Sequence, residues 1–389
     1  MPAVSEQPPA RTPTEEPVEG LPGEVDRAEP GIALCLSGGG YRAMLFHLGA
    51  LWRLNEAGYL PRLERISSVS GGSMTNGALA LNWHRLDFDE AGVARGFGPA
   101  VVEPLRTLAG KTVDVWAIVL GILLPGSIGN WYARSLKRHL LGKATLQDIP
   151  DRPRFVFNAT NLQSAVLWRF SKPYMRDYRV GEIKSPRTEL ATAVAASGAF
   201  PPLLSPVTLR PPRDSWTPGS GLDLQRRKFT RKILLTDGGV YDNLGLETAW
   251  KRYRTILISD GGGHIGGQAD VKTDWIRQAL RVLGVIDSQV RALRKRQAIG
   301  GFVRGDRAGT YWGIRTDIAD YGLPDALPCP AEQTLALART ATRLKAMDAR
   351  LQERLVNWGY AVCDAGMRRH VDASLPAPAG FPYPEAGVG

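Results

Sequence analysis

The residues of this chain best suited to chemistry are a serine and a distant aspartate, with a run of glycines ahead of both. Ser70 stands in Ser68-Val69-Ser70-Gly71-Gly72-Ser73, between a short β-branched run and a helix-like one. A strand–serine–helix turn holds a hydroxyl in a tight, exposed conformation, and small neighbours let backbone pass close by; the usual elbow is G-x-S-x-G. Gly72 supplies the downstream glycine, and Ser68 replaces the upstream one. Taken alone, the pattern also reads as a plain strand-to-helix turn, because a chain with 43 glycines makes Ser-Gly-Gly by chance.

Upstream lies Ser37-Gly38-Gly39-Gly40-Tyr41-Arg42, again between a strand and a helix. Amides of Gly38, Gly39 and Gly40 facing a common point at the positive end of a helix suit an anion. In acyl transfer that anion is the tetrahedral oxyanion, and Arg42 would add fixed positive charge. A phosphate-binding loop is the rival, but the run has neither the Walker spacing nor G-x-G-x-x-G followed by a ribose-binding acid.

A serine nucleophile needs a base. Asp237-Gly238-Gly239 closes a strand, and a carboxylate within hydrogen-bond reach of a hydroxyl in a partly desolvated site can take its proton. Turn or cap aspartate is the bland alternative. Asp260-Gly261-Gly262 is a second strand-end Asp-Gly-Gly and an internal rival for the base. The histidines are His47, His84, His139, His264 and His370. A Ser-Asp-His hydrolase would draw on His264, the one that follows a glycine run late in the chain.

These groups need elements to carry them. Ile32–Leu36, Ile66–Val69, Phe155–Thr160, Lys232–Thr236 and Thr255–Ser259 read as strands. Helical spacing covers Tyr41–Ala57, Ser73–Arg85, Asp274–Ala298 and Glu332–Gly359. Strands alternating with helices predict an α/β fold with a mostly parallel sheet covered on both faces. Residues 1–30 are Pro- and Glu-rich and 371–389 Pro-, Ala- and Gly-rich; both read as disordered tails around one domain, residues 31–370. An insertion of unassigned structure spans about residues 87–143. Within it the apolar run 115–124 is half the length of a membrane span and reads as a buried core helix, or as a membrane-dipping or lid element.

Taken together and in this order, the three motifs resemble the patatin-like phospholipase family. That family has a glycine-rich oxyanion loop, a serine elbow about thirty residues later and a distant Asp-Gly-Gly or Asp-Gly-Ala. Ala196-Ser197-Gly198-Ala199-Phe200-Pro201-Pro202 is similar to the family's block ahead of the aspartate, and Asn243 falls where such proteins carry an asparagine. Ala43, Ser68 and Gly245 depart from the pattern without removing a reactive group. The resemblance implies a three-layer patatin-like fold and a lipid acyl hydrolase. In it Ser70 attacks, Asp237 takes the proton, Gly38, Gly39 and Gly40 hold the oxyanion, Arg42 lends charge, and neither metal nor cofactor is needed. It favours Asp237 over Asp260, leaving a catalytically silent membrane-associated protein on the same fold as the alternative.

The bulk numbers agree. Apolar residues are 43% and charged residues 22% of 389, ordinary for a globular chain. The formal net charge of +11 favours an anionic neighbour, and an anionic membrane surface suits a lipid or phospholipid substrate. No nucleic-acid-binding signature accompanies the charge. Three scattered cysteines and no secretory h-region point to the cytoplasm, with peripheral membrane association. Nothing in the sequence specifies an oligomeric state.

Overall fold

The computed structural model describes residues 28–113, 128–271 and 273–389. Ten strands form one sheet: β1 (Glu29–Leu36), β2 (Leu63–Ser68), β3 (Arg154–Asn161), β4 (Val166–Phe170), β5 (Tyr174–Asp177), β6 (Gly181–Lys184), β7 (Val207–Leu209), β8 (Ile233–Asp237), β9 (Tyr253–Asp260) and β10 (Ala308–Gly313). Its centre, in the order β10-β9-β1-β2-β3, is parallel throughout. Antiparallel strands extend it beyond β3, where both β4 and β8 pair. The helices that matter for the site are α1 (Gly40–Glu56), α2 (Gly71–Asn82), α3 (Ile128–Leu136), α4 (Leu190–Ser197), α5 (Trp275–Arg304), α6 (Ala331–Ala338) and α7 (Ala349–His370).

Alternation along β1 explains the layers. Leu34 and Leu36 point into the larger core with α1, α2 and α7, while Ala33 and Cys35 point into a smaller one closed by Leu244, Leu246, Ala249 and Ala298. A strand buried on both faces needs apolar residues at every position, which is why β1 reads as an unbroken apolar run. The expected mostly parallel α/β sheet with helices on both faces is therefore the fold found.

α1 and α7 pack at glycine contact. A Cβ on Gly49 would lie 1.9 Å from the Val356 carbonyl oxygen, and one on Gly359 would lie 1.8 Å from that of Phe46. This close approach anchors α1 and, through its first turn, the glycine loop that precedes it.

Two sequence expectations are corrected. The single helix expected over 332–359 is two, α6 and α7. Asp348 begins a new helix by accepting from the Leu351 amide (2.9 Å), after a stretch carrying β-branched Thr340 and Thr342. The break drops residues 340–344 onto the glycine loop, where the Tyr41 amide donates to the Arg343 carbonyl (3.1 Å). The tail 371–389, expected to be disordered, packs against α7. Asn357 Nδ2 donates to the Tyr383 and Gly387 carbonyls (both 2.8 Å), and Val388 is buried. In a Pro-rich segment these contacts, not periodicity, provide the order.

Within the insertion, Phe97, Val101, Leu105 and Leu108 join the main core. The apolar run 115–124 and most of the N-terminal tail lie outside the described residues. No helix among the described residues is long and apolar enough to cross a membrane.

Candidate active site

β1 and β2 lie side by side and parallel, so their C-terminal ends deliver the glycine loop and Ser70 to the same edge of the sheet. Ser70 follows β2 with φ 50° and ψ −117°, a backbone that residues with a side chain rarely adopt. Such strain costs about 1–3 kcal/mol and persists only where surrounding contacts hold it. The contacts are specific. The Val69 amide donates to the Leu36 carbonyl (3.0 Å), the Gly72 amide to that of Ser37 (3.0 Å), and the Ser70 amide to the Ser197 carbonyl and hydroxyl (both 3.1 Å).

Asp237 ends β8, where antiparallel pairing sets it opposite Ala159 on β3. Its amide donates to the Ala199 carbonyl (3.0 Å), and the next amide, Gly238, donates to that of Ser197 (3.1 Å). One carbonyl at the end of α4 thus holds the backbone of both the elbow and the aspartate turn. The glycine at 238 is required by closeness: a Cβ there would sit 2.3 Å from the Asn158 carbonyl oxygen. The Asp237 carboxylate accepts from the Gly239 amide (2.7 Å), and the Ser70 side chain lies close enough to favour its charged form.

Burial dominates the charge state of Asp237. It pushes the carboxyl up to about 7, with the Gly239 hydrogen bond and the neighbouring Ser70 side chain opposing the rise and the charge of Asp287 adding to it. A carboxylate poised there can exchange protons at neutral pH, as a general base requires.

The glycine loop closes the other side. Gly39 (φ 146°) and Gly40 (φ 62°) occupy backbone that favours glycine, and α1 begins at Gly40. A Cβ on Gly71, the residue after Ser70, would lie 2.9 Å from the Gly40 nitrogen, so this amide borders the elbow directly. Of the three expected oxyanion donors, Gly38 is corrected: its amide donates to the Asn243 carbonyl (3.0 Å). The amides of Gly39 and Gly40 have no acceptor among the described residues.

Arg42, expected to lend charge to the oxyanion, is buried and clasps two backbone carbonyls, those of Gly261 (3.2 Å) and Thr340. Burial, reinforced by Arg291 and opposed by Asp260, lowers its guanidinium to about 10. Its donors brace the loop from behind.

The rival bases are engaged elsewhere. Asp260 accepts from the Gly262 amide (2.9 Å) and the Tyr311 hydroxyl (2.8 Å). Burial would raise its carboxyl, but Arg291, these two hydrogen bonds and Lys295 outweigh it and hold the carboxyl below the ordinary value. His264 is exposed and makes no hydrogen bond to Ser70 or Asp237 among the described residues. His47 is a structural histidine between the Ser259 hydroxyl (2.7 Å) and the Ser37 carbonyl (2.9 Å). Burial depresses it to about 4, with the Ser37 carbonyl and Asp260 pulling the other way.

Two site neighbours escape sequence reading. Ser68, a departure from the elbow pattern, points into a buried chain of hydrogen bonds beneath Ser70: Asn76 Nδ2 to Ser68 Oγ (2.9 Å), Ser68 to Ser73 (2.8 Å), Ser73 to Ser197 (2.8 Å). Its hydroxyl fills space that a glycine would leave empty. Tyr132 on α3 brings its hydroxyl to within 3.0 Å of where a Gly198 side chain would begin, while Ser70 Cα lies 3.6 Å from the same point. Burial, and secondarily the charge of Asp237, raises its phenol. A lone tyrosine in an insertion carries no motif that could have revealed it, whereas Ser197 sits inside a recognisable block.

The family model described as patatin-like phospholipase matches residues 34–250. Among solved structures, human GIVD cytosolic phospholipase A2 superposes with a TM-score of 0.51 at 13% identity, covering 87% of this chain and 62% of that one. VipD from Legionella pneumophila gives a TM-score of 0.33 at 15% identity, covering 87% of this chain and 66% of that one. The chain thus spans about 62% of the human enzyme's length, and the likeness is one of fold. No curated protein matches the chain.

Proposed function

The chain belongs to the patatin-like phospholipase family, and from that premise we propose that it hydrolyses carboxylic esters of lipids, as a phospholipase A or lysophospholipase, through Ser70 and Asp237 without a histidine. One observation carries the reading: the Ser197 carbonyl accepts from both the Ser70 and Gly238 amides and so sets the elbow serine beside the buried Asp237 carboxyl.

In the proposed reaction Ser70 Oγ attacks the ester carbonyl while its proton passes to Asp237. The carbonyl oxygen becomes an oxyanion between the Gly39 and Gly40 amides, at the positive end of α1. As the C–O bond to the leaving alcohol breaks, protonated Asp237 returns the proton to that oxygen. Water then gives a proton to Asp237 and attacks the acyl-serine. The acid is released, and Ser70 recovers its proton from Asp237. Each proton goes out and back through one carboxyl, which suits a group near neutrality.

Labelling by a fluorophosphonate, an analogue of the tetrahedral intermediate that reacts with activated serines, tests this directly. Wild type is expected to label, and Ser70→Ala to lose both labelling and esterase activity, the latter by about a thousandfold or more. Asp237→Asn is expected to label at least about a hundredfold more slowly. Labelling that survives Ser70→Ala would remove the nucleophile.

A further inference from the structure

α5 is amphipathic in the wrong sense for water. Three of its charged residues turn inward: Arg291 reaches the Gly263 carbonyl, Arg294 pairs with Glu247 (2.8 Å), and Lys295 lies over the Tyr311 ring (4.4 Å). The outward stripe is apolar. Trp275, Val282, Ile286 and Leu293, at i, i+7, i+11 and i+18, are 77%, 50%, 54% and 58% exposed. These spacings fall on one line along a helix about 45 Å long. Leu283 and Val285 widen the stripe.

The helix contains seven arginines and lysines against a single carboxylate, Asp287. Arg296, exposed, borders the stripe, and exposed Arg304 continues its line at the C-terminal end of the helix. A groove of about 400 Å³ beside it is lined by Lys295 and Arg296 together with Ala292 and Ile299, cationic and apolar at once. Pairing this face with a second copy would set cations against cations, whereas an anionic lipid surface satisfies both its charge and its apolar stripe. The same helix packs against Gly239–Asp242, the turn that follows Asp237. Exposed Phe200, Leu203 and Val240 lie within four residues of the backbone groups that hold Asp237.

We propose that the outer face of α5 is the surface on which the protein seats on an anionic phospholipid bilayer, with its hydrolytic site at the lipid. The proposal rests on the lipid-hydrolase reading for its purpose but not for its test. Trp275 and the aliphatic stripe enter the headgroup–acyl boundary, and Arg296 and Arg304 meet anionic headgroups. Ester then reaches Ser70 past Phe200, Leu203 and Val240 without crossing water.

The test is co-sedimentation of the full chain with vesicles of phosphatidylcholine alone or mixed with phosphatidylglycerol. Wild type is compared with Val282→Ser/Ile286→Ser and with Arg296→Ser/Arg304→Ser. Hydrolysis of water-soluble p-nitrophenyl butyrate and Tm are measured in parallel. Wild type is expected to bind the anionic vesicles, more weakly in added salt, and each double variant to lose about tenfold or more in binding. Soluble-ester turnover and Tm stay unchanged, which separates a docking loss from a folding loss. Wild-type binding by both variants, or no binding of wild type to anionic vesicles, would overturn the proposal. So would a wild-type dimer, seen by sedimentation velocity, that dissociates in the apolar variant. Vesicle binding without any ester hydrolysis would uphold the surface and sink the hydrolase reading instead.

Discussion

At the scale of single residues, the buried Asp237 carboxyl couples rate and stability to pH in opposite ways. It accepts the serine proton only when ionised, so activity is expected to rise with pH through about 7 and to fall about tenfold per unit below it. The folded value lies above the ordinary 3.8, so the fold favours the protonated form. Stability from this group is full at low pH and declines as pH rises through the folded value, the reverse of a salt-bridged aspartate. Asp237→Asn keeps an acceptor for the Gly239 amide and carries no charge. It should stabilise the protein by about 2–3 kcal/mol more at about pH 8.5 than at about pH 5 while abolishing turnover. Denaturant titrations at the two pH values check this; equal gains at both would show that Asp237 does not titrate in that range.

At the scale of elements, the interface between α1 and α7 is the brace behind the glycine loop. Gly49 and Gly359 each face backbone of the opposing helix, so neither neighbour can yield by rotating a side chain. Gly359→Ala is expected to cost about 3 kcal/mol or more, because the helices must move apart. Gly98, whose Cβ would meet nothing within 4 Å, serves as control, and Gly98→Ala should change stability by less than about 0.5 kcal/mol. Denaturant midpoints of the two variants decide it; equal midpoints would mean that the helices separate freely.

Across the whole molecule, the C-terminal segment closes the structure over α1 and α7. Arg53 bridges to Asp364 (2.8 Å) and to the Pro376 carbonyl (2.6 Å), and the Tyr59 hydroxyl reaches Asp372 (3.0 Å). Ending the chain at His370 removes the last two contacts and both carbonyl partners of Asn357, and it uncovers the α7 face under Val388. Unpaired buried donors and exposed apolar area both act against the fold. Tm is therefore expected to fall by several degrees in a thermal melt, and an unchanged Tm would show that the segment contributes nothing.

The sequence by itself determined the strands that carry the site and the helices that follow them, because burial on one or both faces imposes a period that any chain must write into its residues; β4 to β7 and β10, short or at the edge of the sheet, went unread. It determined the serine elbow, the glycine loop and the Asp-Gly-Gly turn too, since close backbone approach tolerates only small residues at those places. Tertiary structure alone decided which amides are free, through the Asn243 carbonyl that takes Gly38. It alone decided that Arg42 braces the loop, that 332–359 breaks to cover it, and that a Pro-rich tail packs down. It also decided that α5 turns Arg291, Arg294 and Lys295 inward and its apolar stripe outward. These outcomes depend on partners hundreds of residues away, and a local pattern of residue types holds no record of which hydrogen bonds distant segments will consume.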